Sequence, residues 1–309
     1  MNKTIMITGA NAGIGKETAK QLALKKETTK VYLACRNPEK AKAAKKELEE
    51  TTKRSIFEIV IMDVSNPESV RKAVASLNEP VDALIMNAGG TGGKNPEMLT
   101  KDGVTNITAT NLLGHVVLLD ELINENKLTN VALFASSEVA RGVKKMGMKR
   151  PELKTSSANE FAKVFDGSFF EKKIDPMEVY AYIKYAGTLW MSSMARKHQH
   201  IKFISMSPGG TRGTNGFDDL PAIQRFMFKY IGMPFVMPLM GLSHSLEKGA
   251  NRFVDGISNG SLKSGEFYAS KANVLVGPVV EQSSIWSNLT NATFQENADR
   301  AIHQFIGSN

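Results

Sequence analysis

The sequence predicts an α/β fold built on a doubly wound parallel sheet, and three observations predict it. Short, nearly uniformly apolar runs rich in Val and Ile alternate with helix-like segments along the whole chain. Apolar residues on both faces of a run are what a strand needs when helices cover it from both sides. The first run also passes into a glycine loop, Thr8-Gly9-Ala10-Asn11-Ala12-Gly13-Ile14-Gly15, which opens an amphipathic segment carrying Ile14, Thr18 and Leu22.

Taken in order, the runs predict strands over Ile5–Thr8, Val31–Cys35, Ile56–Met62, Ala83–Met86, Val131–Ala135, Ile201–Met206 and Glu266–Ala269. The intervals between them are long enough for crossover helices. In the first interval a strand, a tight glycine turn and a helix start present free backbone N–H groups and a positive helix end, a cradle for a pyrophosphate. Gly9 serves the turn, Gly13 the close approach of phosphate and Gly15 the packing of helix on strand. Two segments break the alternation. The first, Glu138 to Pro176, is polar and mixed, and reads as an insertion between a strand end and a helix. The second, Thr211 to Ser243, holds Phe226, Met227, Phe228, Ile231, Met233, Phe235 and Met237. Its methionines suit an adaptable apolar lid over a ligand, and a pair of core helices or a membrane-surface contact stays open beside that reading. With no Pro, Gly or Ser linker and no repeat, residues 1–309 are expected to form a single domain.

Composition narrows the function. A chain of 309 residues that is 42% hydrophobic buries a sizeable core, so disorder is excluded as the default. No run reaches the roughly 18 apolar residues of a membrane helix, which leads to an expectation of a soluble, cytoplasmic protein. Cys35 is the only cysteine and the five histidines form no ligand pattern, so neither an internal disulfide nor a metal site is expected. The surplus of 39 Lys and Arg over 31 Asp and Glu would suit a phosphorylated ligand. Acidic residues interleaved with the basic ones between Lys25 and Glu50 argue for a solvated helix face and against a nucleic-acid partner.

The chemistry concentrates on Tyr180 and Lys184, four residues apart and therefore one turn apart on one face of a helix. An ammonium there is expected to acidify the phenol. Holding a phenolate at neutral pH costs about 4 kcal/mol for a group that titrates near 10, and a neighbouring cation lowers that cost. Such a phenol can hand a proton to a carbonyl oxygen or take one back. Ser137, at the end of the fifth strand, is placed to hydrogen-bond the same oxygen.

Together with Asn111 in TNLLGH, Asp63-Val64 after the third strand and Asn87-Ala88-Gly89 after the fourth, these residues resemble the short-chain dehydrogenase/reductase family over nearly the whole chain. The segments GANAGIGKETA, ACRNPEK and TKDGVTNITATNLLGH look most similar to its retinol-dehydrogenase-like and protochlorophyllide-reductase-like branch. The resemblance implies a Rossmann fold, a nicotinamide cofactor bound by Gly9, Asn11, Ala12, Gly13, Ile14 and Gly15, and catalysis by Asn111, Ser137, Tyr180 and Lys184. It further implies that Tyr180 and Lys184 touch the cofactor, that Asn111 holds a water linking Lys184 to solvent, and that Asp63 and Val64 meet the adenine. Asn87, Ala88 and Gly89 would pass beside the adenosine ribose. The end of the second strand carries Cys35-Arg36-Asn37 where an acidic residue would favour NAD, and a planar guanidinium suits a 2′-phosphate, so the expected cofactor is NADP(H). Pro208 and Gly209 match the family's turn beside the nicotinamide, and the register leaves either Thr211 or Thr214 to contact the cofactor.

The expected activity is hydride transfer between NADP(H) and a carbonyl or alcohol of a fairly large apolar substrate. A protochlorophyllide-reductase-like reduction of a C=C bond is one alternative, and a non-catalytic dinucleotide sensor is another. A homodimer built on the two long helices that precede strands five and six, and peripheral membrane contact, stay open.

Overall fold

Ile5 and Ile7 of the first strand face one layer of helices, among Leu22, Leu48 and Phe253. Met6 between them faces the other, among Leu84, Val116 and Tyr185. This alternation, in strands apolar at most positions, builds two cores on one sheet. The computed structural model describes residues 2–170, 175–212 and 242–307. The expected lid falls largely on 213–241, outside the described residues, as does Thr214.

In chain order the elements are β1 (Thr4–Thr8), α1 (Gly13–Ala23), β2 (Lys30–Cys35), α2 (Pro38–Thr52), β3 (Phe57–Ile61), α3 (Pro67–Ala75) and β4 (Val81–Met86). A short α4 (Asn106–Thr108) runs through a π turn (Ala109–Leu113) into α5 (Gly114–Asn124), followed by β5 (Leu128–Ala135), α6 (Ala158–Asp166) and α7 (Pro176–Lys197). Then come β6 (Lys202–Met206), α8 (Leu246–Ser258), β7 (Phe267–Ser270), β8 (Val279–Glu281) and α9 (Ala292–His303). The sheet order is β3-β2-β1-β4-β5-β6-β7-β8, and the reversal between β1 and β4 opens a crevice at their C-terminal ends.

Two features depart from the sequence reading. The sheet is not wholly parallel, because β8 pairs antiparallel with β7 at the edge. Three residues behind Gly277-Pro278 are too short a run to show a strand period. The Glu138–Pro176 stretch is also more than a polar insertion. It begins with a buried 3-10 turn, Glu138–Arg141, and contains α6, whose Phe161, Val164 and Phe165 are buried.

Helices α6 and α9 pack on α7. Every α7 residue from Ala181 to Met194 is buried, so the helix is enclosed all round within one chain. A homodimer pairing this helix with its copy would need a face that α6 and α9 already cover.

Candidate active site

The glycine turn is held from below. Thr8 Oγ1 accepts the backbone N–H groups of Asn87 and Ala88, each at 2.9 Å, and Asn87 Nδ2 donates back to the Thr8 carbonyl at 2.9 Å. The Asn87 amide lies so close that a Cβ on Gly15 would sit 2.6 Å from its Nδ2 and 2.5 Å from the Gly9 carbonyl. Gly9 and Gly13 have positive φ of 68° and 53°, a conformation that side-chain-bearing residues rarely adopt. Ala12 is the N-cap of α1 and supplies no side-chain oxygen, and the first turn holds no acid. The other described helices of eight or more residues that start from extended backbone are capped by Asn37, Asn66, Ser157, Asp175, Ser245 or Asn291. The start of α1 therefore keeps its N–H donors and its positive end for an anion, and the cradle fits a dinucleotide pyrophosphate. Asn11 lies within this turn, and Ile14 packs from α1 onto the core beside Ile7.

Farther along the crevice, Arg36 is 76% exposed at the end of β2, with its Nη1 3.8 Å from Asp63 Oδ2. Asn37 is committed to capping α2, accepting from Lys40 N at 2.9 Å. Asp63 Oδ1 accepts from Ser65 N and Ser65 Oγ, at 2.9 and 2.7 Å, and leaves Oδ2 facing Arg36. The Val64 carbonyl presses on Gly114, whose Cβ would overlap it at 1.6 Å, so glycine there lets α5 approach the β3 end.

At the reacting end, Tyr180 and Lys184 stand on successive turns of α7, with Lys184 Nζ 5.3 Å from the Tyr180 ring centroid. Nζ donates to the Ala135 carbonyl at 2.8 Å and lies 4.7 Å from the Phe134 ring. Burial lowers the amine from its ordinary range to about 7. Desolvation, and after it the charge of Glu138, push the Tyr180 phenol above its usual value. This corrects the expectation that the lysine acidifies the phenol: its nitrogen lies over the ring, bound to a carbonyl, and the neighbouring charge felt by the phenol is negative.

Ser137 lies two residues beyond the end of β5 and its Oγ accepts from Val139 N at 3.4 Å, capping the 3-10 turn. Asn111 is buried in the π turn, its Nδ2 donating to the Gly90 and Ile107 carbonyls at 2.7 and 2.8 Å and its Oδ1 accepting from Gly90 N. Both amide protons are thus committed to backbone, and a water expected on Asn111 would have to meet an acceptor oxygen. Gly89 lies between the two groups: a Cβ there would fall 2.5 Å from Asn111 Oδ1 and 3.6 Å from Lys184 Nζ.

The sequence reading missed a buried polar network beside this cluster. Glu138 Oε1 accepts from Arg252 Nη1 at 3.4 Å and from Ser270 N at 3.1 Å, and its Oε2 from the Ser207 hydroxyl. Arg252 also donates to Ser270 Oγ and to the Ser207 and Gly277 carbonyls. The network fixes the turn at Pro208-Gly209, where a Cβ on Gly209 would meet Arg252 Nη1 at 2.7 Å. Thr211 Oγ1 lies 3.1 Å from both the Pro208 and Gly209 carbonyls and 3.2 Å from His244 Nε2, so its hydroxyl is engaged within the turn.

The family model for short chain dehydrogenases matches residues 3–143. Dehydrogenase/reductase SDR family member 12 from Bos taurus is 34% identical over 212 residues, covering 67% of this chain and 60% of that protein. Retinol dehydrogenase 11 from Homo sapiens is 38% identical over 128 residues, 40% of this chain and 39% of that protein. The chain belongs to the short-chain dehydrogenase/reductase family. It lies near the retinol-dehydrogenase-like branch of these oxidoreductases, although the matches span less than two thirds of either relative's own length. Among solved structures, L-sorbose reductase from Gluconobacter frateurii, complexed with NADPH and L-sorbose, superposes with a TM-score of 0.62 at 18% identity, covering 89% of this chain and 97% of that one. NADPH-bound carbonyl reductase from chicken fatty liver gives 0.57 at 18% identity, covering 89% and 99%. The chain therefore has the Rossmann fold of that family. No helix among its described residues is long and apolar enough to cross a membrane.

Proposed function

We propose that this short-chain dehydrogenase/reductase is an NADP(H)-dependent oxidoreductase that interconverts a carbonyl and an alcohol on a fairly large apolar substrate. The observation that carries the reading is the approach of Asn111 and Lys184 to Gly89, with the Tyr180 ring 5.3 Å from the lysine nitrogen and Ser137 two residues beyond the Ala135 carbonyl that the lysine binds, at the strand ends that also hold the uncapped start of α1. The nicotinamide, when bound, supplies or takes up the hydride. Tyr180 gives its proton to the substrate oxygen in reduction and recovers it in oxidation. A phenol raised by its surroundings stays protonated at neutral pH, which suits the reductive direction. Ser137 holds the same oxygen by a hydrogen bond. Lys184, poised near neutrality, carries the replacement proton to Tyr180.

Arg36 selects the phosphorylated cofactor. Its exposed pairing with Asp63 is weak enough to open for a 2′-phosphate. The proposed apolar character of the substrate is drawn from the Phe- and Met-rich sequence between Thr211 and Ser243.

The test is NADPH oxidation with a panel of aldehydes and ketones. Tyr180→Phe is expected to abolish turnover and to keep NADPH binding; parent-rate turnover in that variant sinks the assignment. Arg36→Asp is expected to cut the preference for NADPH over NADH by at least about tenfold, the worth of one charge-assisted contact. An unchanged ratio of the two kcat/KM values removes Arg36 from cofactor selection.

A further inference from the structure

His115 lies at the start of α5 with no exposed surface. Its Nε2 is 3.1 Å from Thr8 Oγ1 and its Nδ1 is 3.4 Å from the Asn111 carbonyl. Its ring also meets Phe134 edge-on. The protons on this chain can be assigned by counting. A threonine hydroxyl has one proton and two lone pairs. Thr8 Oγ1 accepts two backbone N–H groups, from Asn87 and Ala88, so both lone pairs are used. Its proton is left for the third neighbour, His115 Nε2, which must therefore be bare. The single proton of a neutral ring then sits on Nδ1 and points at the Asn111 carbonyl. A charged ring would set an N–H against the Thr8 hydroxyl's proton, and burial opposes the charge as well, lowering the imidazole to about 3.

We propose that His115 is a positioning residue that acts as the neutral Nδ1–H tautomer, with each ring nitrogen serving a different part of the site. Nε2 fixes the Thr8 hydroxyl, which holds the β4 end under the glycine turn. Nδ1–H anchors the carbonyl of Asn111, whose amide clasps Gly90 beside Gly89 and Lys184. One side chain thereby sets both the dinucleotide turn and the surroundings of the proton-carrying lysine. The inference deepens the function proposed above and rests on it.

Asparagine and glutamine divide the two duties. An asparagine amide reaches about as far as Nδ1 and a glutamine amide about as far as Nε2. His115→Asn, which keeps a donor for Asn111 and loses the Thr8 contact, should weaken the NADPH Kd about tenfold, roughly one buried hydrogen bond, with a smaller effect on kcat. His115→Gln, which keeps an acceptor for Thr8, should lower kcat about tenfold with a smaller effect on Kd. Equal losses of Kd and kcat in the two variants would reduce His115 to packing and overturn the proposal. A spectrum of the parent needs no variant to fold. The nitrogen resonances of the ring should show a bare Nε2 and a protonated Nδ1, with and without NADPH, from pH 8 down to pH 5. A proton on Nε2, or a charged ring, overturns the proposal whatever the variants do. A parent that binds no NADPH defeats the functional reading, whereas a parent that binds it with the opposite tautomer defeats this one.

Discussion

Glu138 shows how one residue can serve stability and chemistry at once. Its carboxylate and the Arg252 guanidinium are 3% and 7% exposed, and each is the other's counter-charge in a region closed to water. Replacing one member of such a pair costs far more than the pair contributes, because the remaining charge keeps its desolvation penalty. Glu138→Gln is expected to destabilise the fold by about 3 kcal/mol in urea unfolding, and Glu138→Gln with Arg252→Met should lose much less than the sum of the single changes. Additive losses would mean that the pair is not coupled. The same variant removes the negative charge that helps hold the Tyr180 phenol high. The alkaline limb of its pH–rate profile should therefore move to lower pH, a shift that a purely structural residue would not give.

At the scale of elements, α1 is specialised by what it lacks. A helix start with no side-chain cap is a cost to an isolated helix and an advantage to an anion site. Gly15→Ala puts a methyl where the Gly9 carbonyl and the Asn87 amide already stand, 2.5 and 2.6 Å away, so the turn must move. NADPH binding is expected to weaken at least about tenfold in a fluorescence titration, from strain of roughly 1–3 kcal/mol. Gly260→Ala is the control, because nothing lies within 4 Å of its Cβ. Equal affinity in the two variants would show that the crowding does not matter for binding. Much of this element was legible from sequence: the glycine spacing, the strand before it and the helix after it lie within a few consecutive residues. So were Tyr180 and Lys184, because the helical period makes neighbours of residues four apart. The Glu138–Arg252 pair and the Thr8–His115 contact join residues 114 and 107 positions apart, and no local period reports them. The buried 3-10 turn was hidden for a related reason. Its charged Glu138 and Arg141 look solvated in sequence, and only distant partners such as Ser207, Ser270 and Gln282 make them interior residues.

On the scale of the whole molecule, the buried Lys184 and the clasp of α9 exert opposite pH dependences on the same fold. His303 at the end of α9 bonds Asp120 of α5 at 2.9 Å and, through its other nitrogen, the Asp299 carbonyl at 2.7 Å. Desolvation would lower this imidazole, but Asp120 and Asp299 outweigh it and hold it at about 10, above its unfolded value of 6.5. Its contribution is therefore complete below pH 6.5 and is lost as pH rises through 10. Lys184 behaves in the opposite sense. Held at about 7 against 10.5 in the unfolded chain, it costs the fold most below pH 7 and nothing above 10.5, so its effect makes stability rise with pH. Between pH 7 and 9 the two slopes compete, each at most about 1.4 kcal/mol per pH unit. Lys184 is fully buried, whereas the His303 side chain is 36% exposed and its contribution is screened. The lysine should therefore win, and stability of the parent should rise from pH 7 to 9. Lys184→Met should be the more stable protein at pH 7, with an advantage that shrinks as pH rises, because it has exchanged a buried amine for an apolar chain of similar length. His303→Asn should be less stable than the parent at pH 7 and climb more steeply. Urea unfolding of the three proteins at pH 7, 8 and 9 decides the matter. If Lys184→Met follows the parent's curve throughout, the amine titrates normally in the fold, and its part as a proton carrier near neutrality is lost with it.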